Sequence, residues 1–381
     1  MKVKRDSKRK ITSIGAESKL EPAATADLKG ITSQVVKAQD RLVLQASDLS
    51  LETLASMVDA KSIDIGPSFQ RRERWDAVRQ GALIESFLLN IPVPPIYLAE
   101  EDDGSYTVID GQQRLRAITA FMRGDLALTG LERLTDLNAY TFRKLPLALQ
   151  NPLRIRPYIR AVTLLKQSDP DLRYEVFTRL NTGGVRLNPQ ELRNVAFRGP
   201  LNDLIYKLSG TEFLKHQLKI TSAKSTAYRE MADAEYVLRY LTLLDTWEDF
   251  SGDLARSMDQ YMKRNRHASA HGLERLNESF TRSLRACESV WGAHAFQRPA
   301  GAGWRDQALA GMYDAQMIAT ALTDDTALAR LRKRVVPLVV RTRGMFADPE
   351  FDAAVRVGTN TPSRVRYRIR RLVELLQEIA A

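Results

Sequence analysis

Residues 108–114 read VIDGQQR, and we call them the motif segment. An apolar run ends at Asp110 and Gly111, and the spacing after it predicts an amphipathic helix that carries Arg114 in its first turn and ends at Gly124. The first backbone N–H groups of a helix lack intrahelical partners and lie at the positive end of the helix dipole. With a fixed positive charge beside them, such groups are typical of a phosphate-binding site.

The motif segment also has an interpretation that needs no ligand. Asp110 at the N-cap and Gln113 three residues later match the capping-box pattern, in which two side chains satisfy free N–H groups of the first turn. The local sequence favours neither interpretation. On the first, the candidate site residues are Asp110, Gly111, Gln112, Gln113 and Arg114.

A second polar cluster, FQRRERW at residues 69–75, stands between a predicted strand and a predicted helix. Gln70 and Arg71 are candidate ligand-binding residues if this cluster lines the same cleft as the motif segment. Aromatic residues among arginines are also common on surfaces that contact nucleic-acid phosphates. The alternative is a solvated arginine face with Trp75 in the core.

A third polar cluster begins with FTRLNTGG at residues 177–184. A helix follows, with Asn188 and Glu191 as a predicted capping box. The alternative to a ligand site is a helix–turn–helix connection whose last polar side chains hold two helices together. The candidate ligand-binding residues of this cluster are Asn181, Gly183, Gly184, Arg193 and Asn194.

The elements that position these clusters follow from the apolar spacing. Strands are predicted at residues 63–65, 96–98 and 106–109, and the Asp103-Gly104 pair predicts a hairpin turn between the last two. Further helices are predicted over residues 51–59, with Ser50 as N-cap, and after Asp76, which caps the next one. From about Leu131 the pattern is helical, including a helix from Pro170 to Leu180, and no strand is predicted beyond residue 200.

The predicted fold class is α+β, in which a small mixed-sheet domain with helices precedes an all-α helical domain. We expect a flexible basic N-terminal arm at residues 1–40, the α/β domain at 41–200 and the helical domain at 201–381. A length of 381 residues with 44% hydrophobic content is sufficient for two cores.

The net charge of +11 favours a polyanionic partner, of which nucleic acid is the commonest. Single Cys287 excludes an intramolecular disulfide and fits a reducing cytoplasm. The charged stretch Met1 to Lys10 is not expected to be a secretory signal, and no apolar run approaches the ~20 residues of a membrane span. A last amphipathic helix, with Thr361 as N-cap, is predicted to carry the DNA-binding candidates Arg364, Arg366, Arg368, Arg370 and Arg371, although a solvated basic face is the alternative.

In their order and spacing, the three clusters resemble the N-terminal domain of GmrSD-type restriction systems. That domain looks like a member of the ParB and sulfiredoxin superfamily, and the likeness runs from about residue 45 to 240. The resemblance implies a nucleoside-triphosphate site around Asp110, Gln112, Gln113 and Arg114, in bacterial proteins that defend against phage or respond to modified DNA. It makes Asp110, Gln113 and Arg114 the candidate catalytic residues. The other candidate residues of the three clusters are then candidate nucleotide-binding residues. Phe69 replaces the more usual tyrosine and Glu73 an aromatic residue, which argues against an inherited base-sensing or modification-sensing role.

The residue types fit those implied roles. Arg114 can make a charge-assisted contact to phosphate, and Asp110 can hold Mg²⁺ through water or polarise an attacking water. Gln113 can orient that water, as glutamines do in GTP hydrolysis. The expected function is therefore a nucleotide-binding and nucleotide-hydrolysing regulator, with Mg²⁺ and a nucleoside triphosphate as cofactors.

Relatives of this type commonly carry a His-Asn-His nuclease, and no complete motif of that kind is visible. Of the four histidines, only His267 and His271 have helical metal-ligand spacing, and no matching acidic residue accompanies them. We therefore expect DNA and a separate nuclease or other defence subunit as partners, and no membrane. The helical domain is a candidate scaffold, dimerisation surface or DNA-binding platform.

Two alternatives stay open. The chain is a non-enzymatic DNA-binding module if the motif segment is only a helix cap. It is a metal-dependent nuclease of the ParB-like type if Asp110 is a metal ligand.

Overall fold

The computed structural model describes residues 28–66, 75–169, 172, 175, 176, 179, 180 and 188–381. Its main sheet has five strands in the order β1-β5-β3-β4-β2. β3 pairs with β5 and β2 with β4 in parallel, whereas β1 with β5 and β3 with β4 are antiparallel. The mixed sheet, followed by a largely helical part, confirms the predicted fold class. The strands are β1 Leu44–Ser50, β2 Ile63–Asp64, β3 Ile96–Glu100, β4 Tyr106–Asp110 and β5 Tyr158–Leu164.

The β3–β4 hairpin and three helix caps are confirmed. Asp103 and Gly104 lie in the turn, where Gly104 has φ +81°. Ser50 and Asp76 accept backbone hydrogen bonds at their helix starts, and Gly124 ends its helix in the left-handed conformation. These features depend on neighbouring residues only, which is why the sequence predicts them.

The prediction of an uninterrupted helical pattern from Leu131 was wrong, because β5 lies in that region. Its inward residues are Ile159, Ala161 and Thr163, and the last two are weak apolar signals. β5 forms where it does because β1 and β3 pair with it on both sides. A helix at Leu28–Asp40 also forms where no element was predicted.

The two faces of the sheet pack against different helices. Val108 on β4 belongs to the core beneath helix Gln112–Arg123, which we call the motif helix. The next residue, Ile109, points the other way and packs with Val195 and Ala196 of helix Pro189–Ala196. The motif helix and helix Pro189–Ala196 therefore lie on opposite faces of the sheet.

Helices make up most of the remaining described chain. Those of the α/β part, besides the motif helix, are Leu28–Asp40, Leu51–Asp59, Ala77–Leu88 and Leu147–Ile155. Those after β5 are Pro189–Ala196, Pro200–Ser209, Glu212–Gln217, Thr226–Arg229, Ala232–Thr246, Leu254–Asn265, Ala270–Trp291, Ala310–Leu322, Asp325–Arg332, Val335–Gly344, Pro349–Arg356 and Pro362–Ala380. Of the predicted helix 170–180, residues 172, 175, 176, 179 and 180 are described, and they are helical.

The helical part has its own core and one element that the sequence did not predict. A short antiparallel hairpin joins β6 Arg298–Ala300 to β7 Gly303–Arg305, so the prediction of no strand beyond residue 200 was wrong. Three residues per strand, including a proline and a glycine, give no detectable alternation. Cys287 is buried in this core, and burial raises the pKa of its thiol to about 12.

None of the helices in the described ranges combines the length and the apolar character needed to cross a membrane.

Candidate functional site

The turn from β4 into the motif helix depends on Gly111. Its φ is +96°, and a Cβ placed on it would lie 2.5 Å from Cγ2 of Ile96. Only glycine fits this left-handed conformation with a neighbouring chain so close. Gly111 is also the N-cap of the motif helix, and as a glycine it has no side chain to cap the first N–H groups.

The predicted capping box of Asp110 and Gln113 was therefore wrong. Because the left-handed turn falls at Gly111, Asp110 is still the last residue of β4 and stands one position too early to cap. Its carboxylate accepts a hydrogen bond from Arg114 instead. The first turn of the motif helix therefore lies beside a charged pair, and its N-cap residue has no side chain.

Arg114 lies over the start of its own helix. Its Nη2 donates to Oδ2 of Asp110 at 2.8 Å and to the carbonyl of Pro95 at 3.0 Å. The same atom lies 3.1 Å from the position of a Cβ on Gly111. The positive charge of Arg114 lies at the positive end of the helix dipole, so the two together favour a bound anion. The carboxylate of Asp110 supplies that negative charge within the chain.

The two partners are unequally accessible. The side chain of Arg114 is 14% exposed and that of Asp110 is 40% exposed. Nε of Arg114 is buried and has no hydrogen-bond partner in the described part of the chain. Arg114 is thus held in place by the fold, whereas the carboxylate of Asp110 is open to solvent.

Side chains of the motif helix bind both chain ends that flank residues 67–74. Gln112 donates to the carbonyl of Ile65, and Nη2 of Arg116 donates to the carbonyls of Ile65 and Gly66 at 3.0 and 2.8 Å. Oε1 of Gln113 accepts from the backbone N–H of Trp75 at 3.3 Å. The described residues on both sides of 67–74, Gly66 and Trp75, therefore lie beside the motif helix. Gln70 and Arg71 lie outside the described residues.

A pocket of about 270 Å³ runs along this side of the motif helix. It combines an indole, two amides and two guanidinium groups, which are the groups that bind a planar base and an anion. Oγ1 of Thr119 is buried at the pocket without a hydrogen-bond partner among the described residues. The lining residues are Ile65, Trp75, Gln80, Gln113, Arg116, Thr119, Ala120, Arg123 and Asp125.

The last polar residues of the third cluster point away from the motif helix. Asn188 and Glu191 form the predicted capping box. Nε of Arg193 donates to Asp259 at 2.7 Å, and Asn194, fully buried, donates to Sδ of Met231 at 3.0 Å. Arg193 and Asn194 join helices, which was the alternative to nucleotide binding. Asn181, Gly183 and Gly184 lie outside the described residues.

The terminal helix Pro362–Ala380 forms as predicted, but its arginines mostly make contacts within the protein. Arg368 is fully buried and pairs with Asp314, so it cannot reach DNA. Arg364 and Arg366 donate to the carbonyls of Val357 and Glu248, and Arg371 pairs with Glu374. Arg370 is exposed and has no hydrogen bond or ion pair within the described ranges.

Arg368 is buried because one aspartate serves two arginines. Asp314 accepts a bidentate contact from Arg239 and a further hydrogen bond from Arg368. Burial lowers the pKa of Arg368, although Asp314 opposes that change. Apolar residues at helical spacing predicted the helix, but not which arginine would face the core.

Sequence reasoning missed two contributors to the site, Arg116 and Thr119. Arg116 is four residues after Gln112, so both side chains lie on one side of the helix and both reach the carbonyl of Ile65. That spacing was a usable signal. No group of three or more His, Cys, Asp or Glu side chains in the described ranges is arranged to hold a metal.

Comparison with known proteins gives one match. No curated protein and no solved structure is found to match the chain. Over residues 53–198, which include the motif segment, the chain matches the family described as the GmrSD restriction endonuclease, N-terminal domain, and this confirms the resemblance carried by the three polar clusters.

Proposed function

We propose that the chain is a nucleotide-binding regulatory protein of a modification-dependent restriction system, and that nucleotide phosphates bind at the start of the motif helix. The family of residues 53–198 supports the restriction role. The observation that carries the nucleotide proposal is the guanidinium of Arg114 over a helix start whose N-cap residue, Gly111, has no side chain. Backbone N–H groups that lack intrahelical partners, the helix dipole and a fixed cation meet there at one point.

Phosphate oxygens would take over the contact that the carboxylate of Asp110 now makes with Arg114. Asp110 is the more exposed partner, so it can turn to solvent while Arg114 stays anchored on the carbonyl of Pro95. The left-handed turn at Gly111 brings the backbone close enough for an oxygen to reach the first N–H groups. Nε of Arg114, buried without a described partner, supplies a further donor in the same group.

The neighbouring pocket suits the rest of a nucleotide. Gln113 belongs both to the first turn and to the pocket lining, so the pocket adjoins the helix start. Trp75 offers an aromatic surface and Arg116 a second cation, while Oγ1 of Thr119 offers an unused hydrogen-bonding group. Gln113 is engaged by the backbone of Trp75, so we assign it to positioning Trp75 rather than to orienting water.

Asp110 is the residue that would hold Mg²⁺, directly or through water. A single carboxylate fits this ion, because Mg²⁺ bound with nucleotides usually takes one or two carboxylates and completes its shell with phosphate oxygens and water. When bound, the ion would neutralise charge on the phosphates during hydrolysis. The chain itself then contributes the backbone donors at Gly111, the charge of Arg114 and the carboxylate of Asp110.

In this proposal, DNA and a nuclease subunit are the partners, and the nucleotide regulates their action. The restriction endonuclease family and the charge of +11 support a role on DNA. The alternative is a DNA-binding module whose motif segment has only a structural role. The two differ in whether DNA binding depends on Arg114.

The test measures binding and hydrolysis of each common nucleoside triphosphate with Mg²⁺, with and without DNA. We expect binding by the wild type and its loss in Asp110→Ala and Arg114→Ala. Arg154→Ala is the matched control, because Arg154 pairs with Glu52 on other helices of the same part. A wild type that neither binds nor hydrolyses any nucleotide overturns the proposal, and DNA binding that survives Arg114→Ala then favours the DNA-binding module.

A further inference from the structure

The β6–β7 hairpin places two arginines directly opposite each other. Arg298 on β6 is the cross-strand partner of Arg305 on β7, and both side chains leave the same face of the hairpin. Cross-strand partners are about 5 Å apart at Cβ, and like charges in such positions destabilise a hairpin. A two-stranded ribbon of three residues per strand has little stability to lose.

Nothing in the described ranges neutralises this pair through a direct contact. The guanidinium groups of Arg298 and Arg305 have no hydrogen bond or ion pair there. The adjacent carboxylate, Asp306, is already engaged by Lys219 and by Nε2 of Gln297. Those contacts hold the pKa of Asp306 below its usual value. The arginine face is thus left with two uncompensated positive charges.

The rest of the protein holds the hairpin in this position. On the opposite face, the ring of Trp304 stacks on His294, with centroids 5.1 Å apart and planes 16° from parallel. At the tip, Nη1 of Arg343 donates to the carbonyl of Ala302 at 2.8 Å, and Nη2 donates to that of Gly301. The two arginines are therefore presented on a supported ribbon, and Arg343 adds a third positive charge beside the turn.

We propose that the arginine face of the β6–β7 hairpin contacts the phosphate backbone of DNA. Two guanidinium groups at this spacing suit successive phosphates of a backbone better than they suit a single carboxylate. A β-ribbon is also a known way to present side chains to a DNA duplex. The inference rests on the proposed function in taking DNA as the polyanion. It assigns the contact to the helical part, where the arginines of the terminal helix are largely engaged within the protein.

The experiment measures binding of a short labelled DNA duplex over a range of salt concentrations, together with the melting temperature of each variant. Arg305→Glu places opposite charges across the hairpin, so we expect a higher melting temperature and at least about tenfold weaker binding at low salt. The slope of log affinity against log salt should become shallower by about one phosphate contact. Arg298→Glu should behave in the same way.

Arg256→Glu is the matched control, because Arg256 is exposed on helix Leu254–Asn265 and the change in net charge is identical. Weaker binding by Arg305→Glu than by Arg256→Glu supports the proposal. Equal losses in both variants overturn it, since they reflect net charge alone, and so does an unchanged affinity. The nucleotide affinity of Arg305→Glu distinguishes a failure of this proposal from a failure of the proposed function. It should equal that of the wild type whether or not the variant binds DNA more weakly.

Discussion

The side-chain oxygen of Gln113 accepts a hydrogen bond from the backbone N–H of Trp75, which is 38 positions away in the sequence. This contact ties the start of the motif helix to the chain that returns after residue 74. Oε1 of Gln113 is thereby committed to structure, although the residue type suggested a role in orienting water. Trp75 and Ile65 are held beside the motif helix by this bond and by those of Gln112 and Arg116.

Replacing Gln113 should loosen Trp75. In Gln113→Leu the N–H of Trp75 loses its acceptor, so we expect about 1 kcal/mol lower free energy of unfolding and a red-shifted tryptophan emission. Gln150→Leu is the control, because it removes a hydrogen bond to the carbonyl of Leu145 in the same part of the protein. It should cost a similar free energy without shifting the emission. An unshifted emission in Gln113→Leu would contradict the contact.

Two glycines with positive φ should respond differently to alanine. Gly111→Ala combines a left-handed conformation with overlap against Ile96, so it should lower the free energy of unfolding by about 2–4 kcal/mol. Gly104→Ala has a similar φ but open space around it, and should cost about 1 kcal/mol. Urea denaturation of both variants measures the difference. Equal costs would show that Ile96 does not constrain the turn.

Acid should weaken the anchor that Glu85 provides. Its carboxylate accepts backbone hydrogen bonds from Leu134 and Arg133, both at 2.8 Å, and from Glu132 at 3.3 Å. The bond from Leu134 is the largest cause of a lowered pKa of Glu85, with smaller contributions from the other two, while burial opposes the change.

The sign of the pH effect follows. The carboxyl of Glu85 binds protons more weakly in the folded state than in the unfolded state, so its contribution is complete above the unfolded pKa of about 4.3 and is lost as the pH falls through the folded value. Glu85→Gln should therefore cost about 2 kcal/mol at pH 7 and progressively less in acid. Unfolding free energies of both proteins from pH 7 to 3 check this. A difference that stays constant with pH would contradict it.

Asp314 should matter more than either arginine that it binds. Asp314→Asn leaves Arg239 and Arg368 buried together without a counter-charge, and should cost about 3–5 kcal/mol. Arg368→Met keeps the bidentate pair of Arg239 with Asp314, so its cost should be about 2 kcal/mol smaller. Arg371→Met, at a half-exposed ion pair, should change little. Equilibrium denaturation gives all three values, and the reverse order would refute the arrangement.

Elements that depend on neighbouring residues were predictable from the sequence. Examples are Gly124 at the end of the motif helix, Asp76 at the start of helix Ala77–Leu88, and the Asp103-Gly104 turn. β5 was not predictable, because its short inward side chains become a strand only between two partner strands.

The motif helix was predictable, but the direction of its polar side chains was not. Asp110 and Gln113 have capping-box spacing, yet the close approach of Ile96 places the turn at Gly111, and both side chains find partners elsewhere. Arg368 is a similar case, because its burial depends on Asp314 from a helix more than fifty positions earlier. In each case a contact between distant parts of the chain overrides a local pattern.

The most direct test of the nucleotide proposal is calorimetric titration with a nucleoside and its mono-, di- and triphosphate, in the presence of Mg²⁺, against the wild type and Arg114→Gln. A phosphate site at the start of the motif helix predicts wild-type affinity that rises with the number of phosphates, and triphosphate binding at least about tenfold weaker in a folded Arg114→Gln protein. Affinity that does not depend on the phosphates, or that is unchanged by Arg114→Gln, would contradict the proposal.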